Sequence, residues 1–395
     1  VRLDAVISKD YRETPIKEST AHLRDGTLAM PTTYNDSIIY VLCPAQIVTG
    51  GIEAVHQLVH KLRQFGHVAK IVSVPPVGNP VRLQYRNYDV AFCGEVIDSE
   101  RNILIATEVN PHGLDPFHKI QKAIWWLSVD FHEALSEKFD FDQPQSKDVA
   151  HFVQSAYAAS FLRRKGVSNF HYLTDYLHVN YLNSKNQLPK NDFVLYTPVK
   201  GAQTYIHRLM QADPSIQWLA LSGMIRKMHA KTMQRGKVYV DFGSHPGKDR
   251  QPREAVVNGC CVIVGLAGAA RFEEDVPIPD QYKFDLQTME DHKILATIHS
   301  CLANHEQCID DFDGYAEIVR HEEQRFEEEV KMIFGVKSHK KKSLDWIVLG
   351  NILLFAKQNP WFPVARGLIN ELLPLQISSL AKNLYRPISA KLSKR

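Results

Sequence analysis

A glycine pair set between two apolar runs does most to limit what this chain can become. The run SIIYVLCP (37–44) is continuous, of strand length, and bounded by Asp36 and Pro44. Gly50 and Gly51 follow, then the amphipathic stretch IEAVHQLVHKLRQF, which Gly66 ends, and then the strand-like HVAKIVSV (67–74). Strand, glycine turn, helix and strand at this spacing predict a βαβ unit. Such a unit needs a parallel sheet covered by helices.

The same rhythm continues. Strands are predicted at YDVAFCG, NILIATEV, KAIWWLSVD and the start of HFVQSAYAASFLRRKGV, whose remainder reads as a helix closed by Gly166. A polar stretch at 183–191 suits a linker, and a second series follows with strands FVLYTP, IQWLALSG, KVYVDFG and CCVIVG. At 395 residues the chain exceeds a single core, so two domains are expected. They are read as an extension at 1–35, a first Rossmann-like domain at 36–185, a second at 186–335, and a basic, aromatic, helical tail at 336–395. The predicted fold class is α/β, two doubly wound domains facing across a cleft, with ligands at the carboxyl ends of the strands.

Composition narrows the function. A net charge of +3 over the whole chain argues against a general polyanion binder, so no nucleic-acid partner is expected. The six cysteines lack CxxC spacing and sit mostly in apolar runs, which predicts reduced thiols, a cytoplasmic protein, and neither disulfides nor a zinc site. No signal peptide and no membrane-spanning apolar run is legible. The tail mixes basic residues with Trp346, Trp361, Phe362 and leucines, and no acid follows Glu371. Two readings of it stay open: peripheral contact with the cytoplasmic face of an inner membrane, or a helix returning to the first domain.

The densest chemistry lies in YVDFGSHPGKDRQPREAVVNGCCVIVG (239–265). Its loop brings His245, Gly247, Lys248, Asp249, Arg250, Arg253 and Glu254 to the start of a predicted helix at the end of a buried strand. Pro252 suits a first helical turn. Free N–H groups and the helix dipole there favour an anion, which Lys and Arg reinforce. Glu254 is placed to pair with the dipole or to accept hydrogen bonds from ribose hydroxyls.

This segment resembles the donor-binding motif of GT-B glycosyltransferases, in particular the retaining, family 4-like group. The family pattern E-G-F-G-x-x-x-x-E-A-x-x-x-G-x-P-V-I is matched at Glu254, Ala255 and Gly259, and GLAGAARF, with Gly268, is similar to the glycine loop that follows. The family's first acid is replaced by Pro246, and HPGKDR looks like a variant found among bacterial surface-polysaccharide transferases. The resemblance runs over roughly 38–300. It implies donor contacts at Gly50 and Gly51, at Gly223 and Met224 in LSGM, and at Lys200 in YTPVKG, where a plain solvated lysine is the alternative. Arg226 and Lys227 fit an exposed helix face as well as a base-framing loop.

In the first domain Ser128, Asp130 and His132 end a strand near the expected cleft. By resemblance Asp130 or His132 would touch the transferred sugar or acceptor, and Asp130 would be the base if the enzyme inverts. Asp130 as a helix cap is the competing reading. Glu108 and His112 are acceptor-side candidates, Glu53 reads as an ordinary first-turn acid, and Trp125 and Trp126 as core. The expected catalytic set is Asp130, His132, Lys248, Arg253 and Glu254. No DxD-like acidic pair is legible, so no metal and no other cofactor is expected. The resemblance thus implies sugar transfer from a nucleotide-sugar to a glycan or lipid-linked acceptor, with retention, in capsule or O-antigen synthesis. The rivals are a GT-B epimerase or hydrolase, and a non-catalytic membrane-associated binding subunit.

Overall fold

The computed structural model describes residues 30–337, apart from 46, 78, 183–187, 199–201 and 289. The expected extension, Lys200 and the tail therefore lie outside the described residues in whole or nearly so.

Ten apolar runs become the ten strands expected of them. The first sheet holds β1 (Ile38–Pro44), β2 (Val68–Val74), β3 (Ala91–Cys93), β4 (Ile103–Thr107), β5 (Gln121–Trp126), β6 (Val149–Val153) and β7 (His171–Tyr172). Every pairing in it is parallel, in the order β3-β2-β1-β4-β5-β6-β7. The second holds β8 (Asn191–Tyr196), β9 (Gln217–Ala220), β10 (Gly236–Asp241), β11 (Cys261–Gly265) and β12 (Lys283–Phe284), also parallel, in the order β12-β11-β10-β8-β9. Both sheets are doubly wound, as expected. The order reverses between β1 and β4 in one and between β8 and β10 in the other. Loops diverge at such points, leaving a crevice at the carboxyl ends of the strands.

Helices α1 (Gly50–Gln64), α2 (Val129–Glu133), α3 (Ala156–Arg164) and α4 (Val179–Leu182) belong to the first series. α5 (Gln203–Ala212), α6 (Arg226–Arg235), α7 (Arg250–Val257), α8 (Asp291–Ala303), α9 (His305–Cys308) and α10 (Asp313–Arg320) belong to the second. Thr49 caps α1, its hydroxyl accepting from the Ile52 N–H, and Ser155 caps α3 in the same way.

One boundary differs from the sequence reading. The acidic helix α11 (Glu322–Phe334) packs Phe326, Val330, Ile333 and Phe334 into the core of the first domain, against Trp125 and Phe152. The chain thus crosses back before residue 335, because α11's apolar stripe covers the first sheet. Trp125 and Trp126 are fully buried, as expected of core. Among the described residues no helix is long and apolar enough to cross a membrane.

Candidate functional site

The carboxyl end of β10 leads into the loop 242–249 and then α7, and this loop reaches across to the first domain. A Cβ on Gly247 would fall on the Leu127 carbonyl oxygen, so only glycine permits this approach. Beside it the Lys248 N–H donates to Gln154 Oε1 at 3.2 Å. Asp275, from the second domain, accepts the Ala156 and Tyr157 N–H groups at 2.9 Å each and so closes the start of α3.

Lys248, Arg250 and Arg253, the described cations expected to meet a diphosphate, are each paired with carboxylates from other elements. Arg250 donates to Glu53 (2.7 Å), Asp175 (2.8 Å) and Gln57 (3.2 Å). Arg253 donates to Asp175 (2.9 Å) and Glu322 (2.7 Å), and to the carbonyls of Lys248 and Asp249. Lys248 pairs with Glu322 at 2.8 Å, and Arg226 with Glu53 at 2.9 Å. Burial alone would raise the Asp175 pKa, but Arg253, Arg250 and Lys248 outweigh it and hold the carboxyl below its ordinary value. Arg253 has no exposed side-chain surface. Its guanidinium fixes the 248–249 backbone, which makes it a positioning residue in this arrangement.

Glu53 is more than a first-turn acid. It is buried, and takes Arg250, Arg226 and the Tyr88 hydroxyl (2.9 Å). Gly50 and Gly51 open α1 as expected, but the group that approaches Gly50 closely is the Arg250 side chain, 3.0 Å from an ideal Cβ there. Both halves of the expected phosphate site are therefore brought together.

Glu254 is buried in α7, with its carboxylate 3.8 Å from His229 Nδ1. Burial pushes its pKa up to about 7, against the opposing pull of Arg250 and Arg253. His229 also meets the Tyr181 hydroxyl at 3.1 Å, and burial lowers its pKa. Gly268 adopts φ +47°, and a Cβ there would strike the carbonyls of Ser244 and His245. Gly223 also has positive φ, and Met224 packs on the second core.

The first-domain candidates separate. Asp130 accepts from the Tyr157 hydroxyl at 2.5 Å and lies in the first turn of α2 behind Ser128, so it does not occupy the cap position. Burial raises its pKa, opposed by Tyr157 and reinforced by the charge of Asp249 across the cleft. His132 is turned into the core, edge-on to Trp126, with Nδ1 3.1 Å from the Glu108 carbonyl oxygen. Glu108 also faces inward: its two oxygens accept the Leu127 and Ser128 N–H groups at 2.9 and 3.0 Å. His112 is half exposed, paired with Asp115 at 2.9 Å. The inward set of Glu108 and His132 thus shapes the strand end and does not line the cleft.

One grouping escaped the sequence reading. Asp241, His245 and Asp249 present three ligand atoms within 4.8 Å of one another, the one such group among the described residues able to hold a cation. A search for adjacent acids misses it, because a loop brings together residues four apart. His245, at φ 47°, has Nδ1 3.2 Å from Asp249 and Nε2 3.8 Å from Asp241.

No protein-family model matches the sequence, and no curated protein matches it. Solved structures do match the fold. A glycosyltransferase from Rickettsia africae superposes with TM-score 0.50 at 11% identity, over 82% of this chain and 99% of that one. HepE from Anabaena, solved with UDP-glucose, gives 0.51 at 13% identity, over 75% and 96%. What is shared at such identities is the architecture: the chain has the two-sheet GT-B fold.

Proposed function

We propose that this chain is a glycosyltransferase that moves a sugar from a nucleotide-sugar to a glycan or lipid-linked glycan acceptor, in bacterial surface-polysaccharide synthesis. The observation that carries the reading is the position of Glu254. It stands on the helix that follows the switch-point strand of the second sheet, buried beside Arg250, at the place where the fold puts its ligand crevice. In this reading Glu254 accepts from the ribose hydroxyls. Lys248 and Arg250 meet the diphosphate, exchanging Glu322 and Glu53 for phosphate oxygens. Fixed cations and the N–H groups at the α7 start stabilise the charge that develops as the nucleotide leaves. Asp130, with Tyr157, faces the acceptor side. We take transfer to be retaining and independent of metal, with Lys248 and Arg250 in the role a metal would otherwise fill.

Thermal-shift titration against a panel of nucleotides and nucleotide-sugars, UDP-glucose first, tests the donor site. A stabilising response is expected from at least one, and Glu254→Ala should abolish both that response and transfer. No response to any nucleotide would favour a binding subunit. Chelation should leave turnover unchanged. Activity lost on chelation and restored by manganese would overturn metal independence, and loss of that rescue in Asp241→Asn or Asp249→Asn would then place the ion at Asp241, His245 and Asp249.

A further inference from the structure

Three segments meet at one rim of the cleft, each following the carboxyl end of a strand: 47–49 after β1, 82–86 after β2, and 225–228 after β9. They are tied together. The Thr49 N–H donates to the Tyr85 hydroxyl at 3.1 Å, and that hydroxyl donates to the Thr49 carbonyl at 3.0 Å. Arg226 donates to the Gln84 carbonyl at 3.5 Å while its other nitrogen holds Glu53 inside the cleft.

On this rim aliphatic side chains face solvent. Leu83 is 74% exposed, Ile225 73% and Met228 57%, and Ile47 and Val48 are about half exposed. Lys227 and Lys231, four apart on α6, and Arg86 are exposed around them. Residues 47–49, 79–88 and 222–235 contain no Asp or Glu. Clustered apolar tips of this kind mark an interaction surface. A ring of bases without acids selects an anionic partner, and unbranched contact with phosphates alone would leave the aliphatic tips in water. A bilayer satisfies both, with the tips entering the acyl boundary and the bases held near anionic headgroups.

We propose that this rim docks the protein on an anionic lipid surface, with the mouth of the cleft facing the membrane. The docking stands on the surface itself. Only its use, delivery of a lipid-linked acceptor, rests on the function proposed above.

Co-sedimentation of the full chain with phosphatidylcholine vesicles, with and without phosphatidylglycerol, tests it. Binding is expected only to the anionic vesicles, weakening with salt. Leu83→Ser with Ile225→Ser should lower the partition at least tenfold, as should Lys227→Glu with Lys231→Glu. Both pairs are exposed, so circular dichroism melts should match wild type. Wild-type-like partition of both variants would put any lipid binding elsewhere in the chain and overturn the proposal, as would no binding by wild type. Self-association abolished by Leu83→Ser with Ile225→Ser, without vesicle binding, would make the rim a protein interface and overturn it too. These readouts need no donor or transfer, so they can fail while the donor titration succeeds.

Discussion

Glu108 and Glu254 are buried carboxyls, each pushed from 4.5 up to about 7 by burial. Each folded value lies above the unfolded one, so each contributes stability that is full below about pH 4.5 and lost as pH rises through 7. The difference corresponds to about 3 kcal/mol per carboxyl. Each carboxyl should therefore pull stability down between about pH 4.5 and 7. Buried histidines such as His151 and His229 oppose this, since their lowered pKa adds stability as pH rises toward 6.5. The Glu108 share is read as the difference between the urea melts of wild type and Glu108→Gln across that range. Glu108→Gln should remove the downward contribution of one carboxyl, so its stability falls less, or rises more, than that of wild type over this range. It should also cost about 1–3 kcal/mol at pH 5, because an amide offers one oxygen to the two N–H groups of Leu127 and Ser128. An unchanged slope would refute the assignment to Glu108. Glu254 carries a second consequence under the proposed function, since only its ionised form accepts from both ribose hydroxyls. Donor affinity should rise with pH through about 7 in wild type and stay flat in Glu254→Gln, read by calorimetric titration.

At the scale of elements, two glycines do different work, Gly247 in the β10–α7 loop and Gly268 in the turn after β11. Gly268 sits at positive φ with its Cβ direction blocked by backbone of the second domain itself. Gly268→Ala should cost roughly 1–3 kcal/mol in thermal or urea melts. Gly247 instead abuts Leu127 of the first domain, so Gly247→Ala should leave the melt close to wild type yet weaken donor binding at least tenfold by holding the loop off. Equal donor affinity in Gly247→Ala and wild type would show that this contact does not set the cleft. The elements themselves were largely legible, because a parallel strand buried on both faces is a continuous apolar run. The exceptions are β7 and β12, two residues each, which offer no run to read. The site was legible only where it is local. Gly50, Gly51 and the 245–254 series could be seen, since one turn and one helix start specify them. The partners of Arg250 and Arg253 could not: Asp175, Glu322 and Glu53 stand 75, 69 and 197 residues away, and no local pattern marks a carboxylate for a distant arginine. For the same reason α11 was assigned to the wrong core, as an apolar stripe does not say which sheet it will cover.

Across the described molecule, the two sheets are held together by a chain of buried charge: Arg226–Glu53–Arg250–Asp175–Arg253–Glu322–Lys248. Asp175 is its centre, fully buried and bonded to two guanidiniums. A buried pair adds little net stability compared with an apolar replacement, yet removing one partner leaves a stranded charge at a cost of about 3–5 kcal/mol. Asp175→Asn should therefore either destabilise the fold by that order or relieve the strain by parting the domains, letting water reach Arg250 and Arg253. Small-angle scattering of the full chain separates the two, since parting raises the radius of gyration while the melt stays near wild type. The depressed pKa of Asp175 fixes the sign of the acid response. Its stabilisation is present above the ordinary value of 3.8 and is lost only as pH falls below that, through the folded value. Wild type should thus keep its radius from pH 7 to pH 4.5, while Asp175→Asn is expanded or less stable at both. A variant as compact and as stable as wild type at pH 7 would mean that Arg250 and Arg253 find other partners, and that the charge chain does not govern how the cleft closes.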